Sequence, residues 1–66
     1  MSIEYIVEVR MPGARVEHRF VGYEDAKRCA ADVLALNPGI EIHLYQDQGG
    51  WQMEIRRDVW DREAGE

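Results

Sequence analysis

Apolar and polar positions alternate with period two in four stretches of this chain and repeat with helical period in one. Residues 23–36, YEDAKRCAADVLAL, place Ala26, Cys29, Ala30, Val33 and Leu34 at i, i+3, i+4, i+7 and i+8, the stripe of one helical face. Glu24 and Asp25 fall in the first turn, where carboxylates offset the positive end of the helix dipole. Asn37-Pro38-Gly39 ends the pattern, because a residue preceding proline is pushed out of the α region. Before the helix, residues 2–10 set Ile3, Tyr5, Val7 and Val9 against Glu4, Ile6, Glu8 and Arg10. Residues 15–21 group Val16, His18 and Phe20 opposite Arg15, Glu17 and Arg19, after a Pro12-Gly13 turn of type II composition. Beyond the helix, Ile40, Ile42 and Leu44 oppose Glu41, His43 and Tyr45. Gln48-Gly49-Gly50 reads as a second hairpin turn, and Trp51, Met53 and Ile55 then share a face against Gln52, Glu54 and Arg56.

The predicted order is therefore ββαββ, an α+β fold in which a four-stranded antiparallel sheet carries one helix on one face. Strand 1 is the most apolar and is expected to be central. Arg15, Arg19, Arg56 and Arg57 suit strands 2 and 4 to the edges, giving the order 2-1-3-4. Residues 1–60 make one domain and residues 61–66 a frayed acidic tail. Trp51 is expected in the core. Trp60 is expected on the uncovered face of the sheet, either folded back over Ile6 or Tyr45 or offered to a partner.

With 66 residues the core is small, and a deep pocket beside it is disfavoured, so surface function is the stronger expectation. The formal charge is −5, from thirteen acidic and eight basic side chains. Residues 1–38 hold six acids and five bases, and residues 39–66 hold seven and three, so the acidity lies in the second half. Such a field opposes direct binding of phosphates. Solubility alone also accounts for a charge of this size. One cysteine excludes an internal disulfide framework, and no apolar run has the length of a signal peptide or a membrane span. A cytoplasmic protein is expected.

Chemistry is poorly represented. Cys29, His18 and His43 are the only sulfur-anion or imidazole ligands and lack the close pair spacing of zinc sites. Gly49-Gly50 lacks the further glycine, lysine and following helix of a phosphate-binding loop. No cofactor is expected. A Cys29–His18 nucleophile is geometrically conceivable, both facing the core, but a thiolate needs an electropositive and part-exposed setting, whereas Cys29 is flanked by Ala26, Ala30 and Val33. His43, between Glu41 and Tyr45, reads as a solvated surface histidine with a possible contact or pH-sensing role. Carboxylate acid–base catalysis needs a dry cleft that an open sheet does not supply. An enzyme is not expected.

The uncovered sheet face is the informative one. Glu4, Glu8, Glu17, Glu41 and Glu54 project from it among Arg10, Arg15, Arg19 and Arg56, with Ile6, Val21 and Tyr45 pointing the same way. Cross-strand ion pairing explains the charges, while an apolar patch with a charged rim marks a contact surface. Ala26-Lys27-Arg28 early in the helix and Gly49-Gly50-Trp51 opening the last strand, within a ββαββ layout covering most of residues 2–57, resemble small anti-CRISPR proteins directed at type I CRISPR-Cas complexes. That resemblance implies a phage or mobile-element origin, action inside a bacterial host, and stoichiometric inhibition without catalysis. Some members grip their target through lysines, and here only Lys27 is available. The expected version is thus an acidic surface that stands in for nucleic-acid phosphates and blocks a DNA-recognition site. Its contact residues are Glu4, Glu8, Glu41, His43, Tyr45, Glu54, Asp58 and Asp61, and its partner is a larger protein complex, with no direct nucleic acid and no membrane. A monomer or weak dimer is expected. The alternative is a small accessory or homo-oligomeric subunit using the same face.

Overall fold

The structure, a computed structural model, describes residues 2–65. Its elements are β1 (Ile3–Met11), β2 (Ala14–Phe20), α1 (Tyr23–Leu36), β3 (Glu41–Gln48), β4 (Trp51–Ile55) and α2 (Arg57–Ala64). The strands form one antiparallel sheet in the order β2-β1-β3-β4. This is the α+β architecture and strand order that the alternation predicts, extended to ββαββα by a second helix. The molecule is a slab of 35 × 32 × 16 Å, one sheet and one layer of helices.

Local chemistry sets the boundaries. Gly49 and Gly50 take φ of 61° and 88°, the successive positive values of a two-residue hairpin turn, so Gln48 and Trp51 are paired directly across it. α1 starts at Gly22, whose carbonyl accepts from the Ala26 N–H, and stops where the Asn37 N–H donates to the Val33 carbonyl at 2.9 Å. α2 begins after Arg56, with Asp58 in its first turn and Arg62 in its last, each at the pole its charge favours.

The core lies between the sheet and the helices. Val7, Val9, Ile42 and Leu44 rise from the two central strands to meet Ala26, Ala30 and Trp60. Trp60 is wholly buried, and this corrects the expectation that it lies on the uncovered face. The reason is a matter of volume: a helix presenting alanine at successive turns leaves a void over Ile42 and Leu44, and an indole fills it. Trp51, expected in the core, is instead 78 % exposed, since α1 and α2 lie over β1 and β3 and stop short of β4's end. Residues 61–64, expected to fray, continue α2, and Gly65 caps it; Glu66 lies outside the described residues.

A polar clamp holds α2 to α1. The Tyr23 hydroxyl donates to Glu63 Oε1 at 2.7 Å, and Lys27 Nζ sits 2.8 Å from Glu24 Oε1 and 4.5 Å from the centre of the Tyr23 ring. Lys27 is only 5 % exposed, despite its place one residue from the helix's apolar stripe. Its alkyl stem packs inside while its charge meets carboxylates and a ring face. Burial first, and then the Glu63 hydrogen bond, push the Tyr23 phenol well above its ordinary pKa.

Candidate interaction face

The sheet surface away from the helices is built from alternate residues of all four strands. The register sets Arg15, Arg10 and Glu41 in one row, Glu17, Glu8 and His43 in the next, and Arg19, Ile6, Tyr45 and Glu54 in a third. Glu4, Asp47 and Gln52 make the fourth row.

Two chains of polar contacts cross this face from edge to edge. In one, Glu8 accepts from Arg10 Nε at 2.8 Å and lies 3.3 Å from Arg15 Nη1, and Arg10 Nη1 donates to Glu41 Oε2 at 2.9 Å. The chain continues through His43, whose Nε2 is 2.9 Å from Glu41 Oε2 and whose Nδ1 is 2.7 Å from Glu54 Oε2. In the other, Arg19 Nη1 stands 3.5 Å from both Glu4 and Asp47, and Gln52 donates to Asp47 at 3.3 Å. Asp47 also accepts the Gly50 N–H at 3.0 Å, tying this chain to the β3–β4 turn.

The roof formed by these side chains changes the character of the face. Ile6, expected as part of an exposed apolar patch, is 0 % exposed beneath Arg19, Tyr45 and their neighbours. Glu8 and Asp47 are buried as well, so Glu8 is a structural anion that anchors two guanidinium groups and is not open to a partner. Glu41 and Glu54 keep side-chain exposures of 55 % and 50 %, and Glu4 keeps 38 %. Glu17, directly opposite Glu8, is exposed. The arginines thus bridge buried and outer carboxylates, Arg10 joining Glu8 to Glu41 and Arg19 joining Asp47 to Glu4, while Glu17 is left to solvent.

His43 is the centre of this arrangement. The hydrogen bond to Glu54, followed by that to Glu41, raises its pKa above the ordinary 6.5, because a carboxylate at each ring nitrogen favours the doubly protonated imidazolium. Reciprocally, the His43 hydrogen bond, ahead of the Arg10 charge, lowers the Glu41 pKa. Such a ring has no free lone pair and is a poor general base. It is better suited to fixing the two carboxylates an imidazole's width apart. Tyr45 stacks beside it, ring centres 6.2 Å apart. The period-two pattern identified His43 as outward-facing; its clamp depends on Glu54, whose proximity only the β3–β4 register reveals.

Of the expected contact residues, Glu4, Glu8, Glu41, His43, Tyr45 and Glu54 are brought together here. Asp58 and Asp61 are not. Both belong to α2 in the helical layer, and Asp58 is held by Arg56 at 2.6 and 3.1 Å, which lowers its pKa. His18 lies on the helix side of β2, opposite the buried Val7, as expected, but it is exposed and makes no hydrogen bond to Cys29 among the described residues. The Cys29 thiol is part-buried, and burial, then the Asp32 charge, push its pKa up, away from thiolate character. Among the described residues, no group of three or more His, Cys, Asp or Glu side chains is placed to hold a metal ion. No helix there is long and apolar enough to cross a membrane. No family model, curated protein or solved structure matches this chain.

Proposed function

We propose that this protein is a non-catalytic binding protein that engages a basic surface of a larger, nucleic-acid-handling complex, in the manner of an anti-CRISPR inhibitor. The observation that supports this reading is the pair of half-exposed carboxylates, Glu41 and Glu54, fixed on either side of His43 on an open sheet face. A carboxylate already held in one rotamer loses less entropy on meeting a lysine or arginine than one free in solution. Glu4 and Glu17 extend the negative field along the same face, and complementary fields accelerate encounter with a cationic groove. Lys27 takes no part in the contact, because it is buried against Tyr23 and Glu24.

The test is DNA binding by a purified type I surveillance complex, followed by mobility shift with increasing amounts of the protein. Wild type is expected to block DNA binding stoichiometrically, less well as salt rises. Glu41→Lys with Glu54→Lys is expected to weaken inhibition by about tenfold or more, since two attractive contacts become repulsive. Asp58→Lys with Asp61→Lys, on the other layer, is expected to leave it unchanged. Inhibition that survives the first double reversal, or that ignores salt, refutes the proposal.

A further inference from the structure

The β4 edge lacks the protection that strand edges ordinarily carry. β2, the other edge, places Arg15, Glu17 and Arg19 on its outer side, whereas β4 reads Trp-Gln-Met-Glu-Ile with a single charge and no proline. On the helix side, Trp51 and Met53 are 78 % and 58 % exposed and, with Gln46, Gln48 and Gly49, line a groove of ≈ 360 Å³. A bare strand edge beside an exposed tryptophan is a pairing surface that the single chain leaves unused.

We propose that β4 pairs antiparallel with β4 of a second copy of this chain, about a two-fold axis at Met53, joining the two sheets into one. The backbone selects the register. Gln48 and Trp51 flank a two-residue turn and exchange hydrogen bonds, so Trp51, Met53 and Ile55 direct their backbone groups toward β3. Gln52 and Glu54 therefore direct theirs to the free edge. With Met53 opposite Met53 of the second copy, Gln52 faces Glu54 and all these outward groups pair. A shift that centres the axis on Glu54 sets two glutamates face to face. A shift that centres it on Gln52 sets Glu54 against Gly50, whose N–H is already given to Asp47.

The side chains agree with that register. On the helix side Trp51 lies across from Ile55 of the second copy, and the two Met53 side chains meet at the axis, so the exposed apolar strip closes on itself. On the opposite side Gln52 faces Glu54, with no like charges opposed. The interface is self-complementary, as two-fold association requires. Burial of both tryptophans supplies roughly 300–400 Å². Met53, Ile55 and the strand backbones bring the total toward the roughly 1,000 Å² of a small specific interface. A second copy also satisfies the edge with identical geometry on both sides, which an arbitrary extended peptide does not.

This pairing does not rest on the proposed inhibition: Glu54 borders both surfaces, but the dimer is tested at Met53, on the helix side of β4 and outside the Glu41–His43–Glu54 cluster. Sedimentation equilibrium over a wide concentration range is expected to show a monomer–dimer equilibrium. Met53→Lys, which sets two ammonium groups face to face at an exposed position, is expected to raise the dissociation constant at least about tenfold with an unchanged circular dichroism spectrum. Met53→Cys with Cys29→Ser gives the register directly. Non-hydrogen-bonded antiparallel partners lie within disulfide reach, so this variant is expected to form a symmetric disulfide dimer on mild oxidation, and Gln52→Cys in the same background is not. A strict monomer throughout that does not cross-link through position 53 overturns the proposal. So does a dimer that Met53→Lys leaves intact, because it would use another face.

Discussion

Trp60→Ala and Trp51→Ala separate the two tryptophans by their energetic roles. Trp60 is 0 % exposed within the central cluster, and truncating a buried aromatic of this kind costs about 3–5 kcal/mol. A domain of this length has a total stability of roughly 3–10 kcal/mol, at roughly 0.05–0.15 kcal/mol per residue. Trp60→Ala therefore removes between a third and all of it. Urea unfolding followed by far-ultraviolet circular dichroism reads the loss. With a slope near 1 kcal/mol per molar, the midpoint falls by about 3–5 M or the variant is unfolded without denaturant. Trp51 is 78 % exposed, and its truncation is expected to shift stability by no more than about 0.5 kcal/mol. That comparison belongs at low protein concentration or in the Met53→Lys background, where association adds nothing to apparent stability. Acrylamide quenching supplies the matching observable, because Trp51→Ala retains only the shielded indole. Equal costs for the two substitutions, or a larger cost at Trp51, would show that the first helix and β4 close the core without α2.

The clamp at His43 makes stability depend on pH. Its pKa is raised by Glu54 and Glu41, so its stabilisation is complete below the unfolded value near 6.5 and is lost as pH rises through the folded value. The Glu41 carboxylate, lowered by the same pair, contributes above its unfolded value near 4.5 and loses that contribution as pH falls through its folded value. Melting temperature is expected to decline in wild type as pH rises above about 6.5, levelling off once the folded His43 has lost its proton, and to stay level over that window in His43→Gln; parallel curves would remove His43 from the account. At Cys29, the raised thiol pKa and partial burial predict slow alkylation by iodoacetamide at neutral pH, accelerating once urea unfolds the chain. Mass spectrometry that finds equal rates in the native and unfolded chains would restore a reactive thiol.

Features decided by neighbouring residues were legible in the sequence. Residues 23–36 form the expected helix because Glu24, Asp25 and Asn37-Pro38-Gly39 signal its ends within a few residues. Strand faces follow from period two, and the strand order from the apolar β1 and the charged β2. Period two says which face a residue takes, however, and not how far along that face a helix reaches. Trp51 was misplaced for that reason: it is on the helix side of the sheet, beyond the helices. Trp60 was misplaced because α2 has eight residues, too few for a helical period to stand out in a polar run, though Asp58 and Arg62 mark its ends. Ile6 read as exposed because its neighbours are charged, yet long arginine side chains and a tyrosine can roof an aliphatic one. Lys27 is the same effect in reverse, a charged residue whose burial depends on Tyr23 and on a glutamate from the unrecognised helix.

The outer face also shows why acidity and a stable sheet need not conflict. Glu8 opposite Glu17 is an unfavourable cross-strand pair, and Arg10 and Arg15 on Glu8 offset it. Those arginines stay about half exposed, Arg10 also reaching Glu41, and His43 holds Glu41 and Glu54 in place on either side of its ring. A cationic partner would then compete with His43 for Glu41 and Glu54 instead of ordering them from scratch. Raising pH through the folded His43 value weakens that competitor but also loosens Glu54, while Arg10 still holds Glu41. Deprotonation makes the field more negative, which favours faster association, and makes the contact less preorganised, which favours faster dissociation. A face built this way separates encounter from residence within a single ionisable group. Association and dissociation rates that both change between the two protonation states of His43, and that become insensitive to pH in His43→Gln, would distinguish this arrangement from an acidic surface that serves solubility alone.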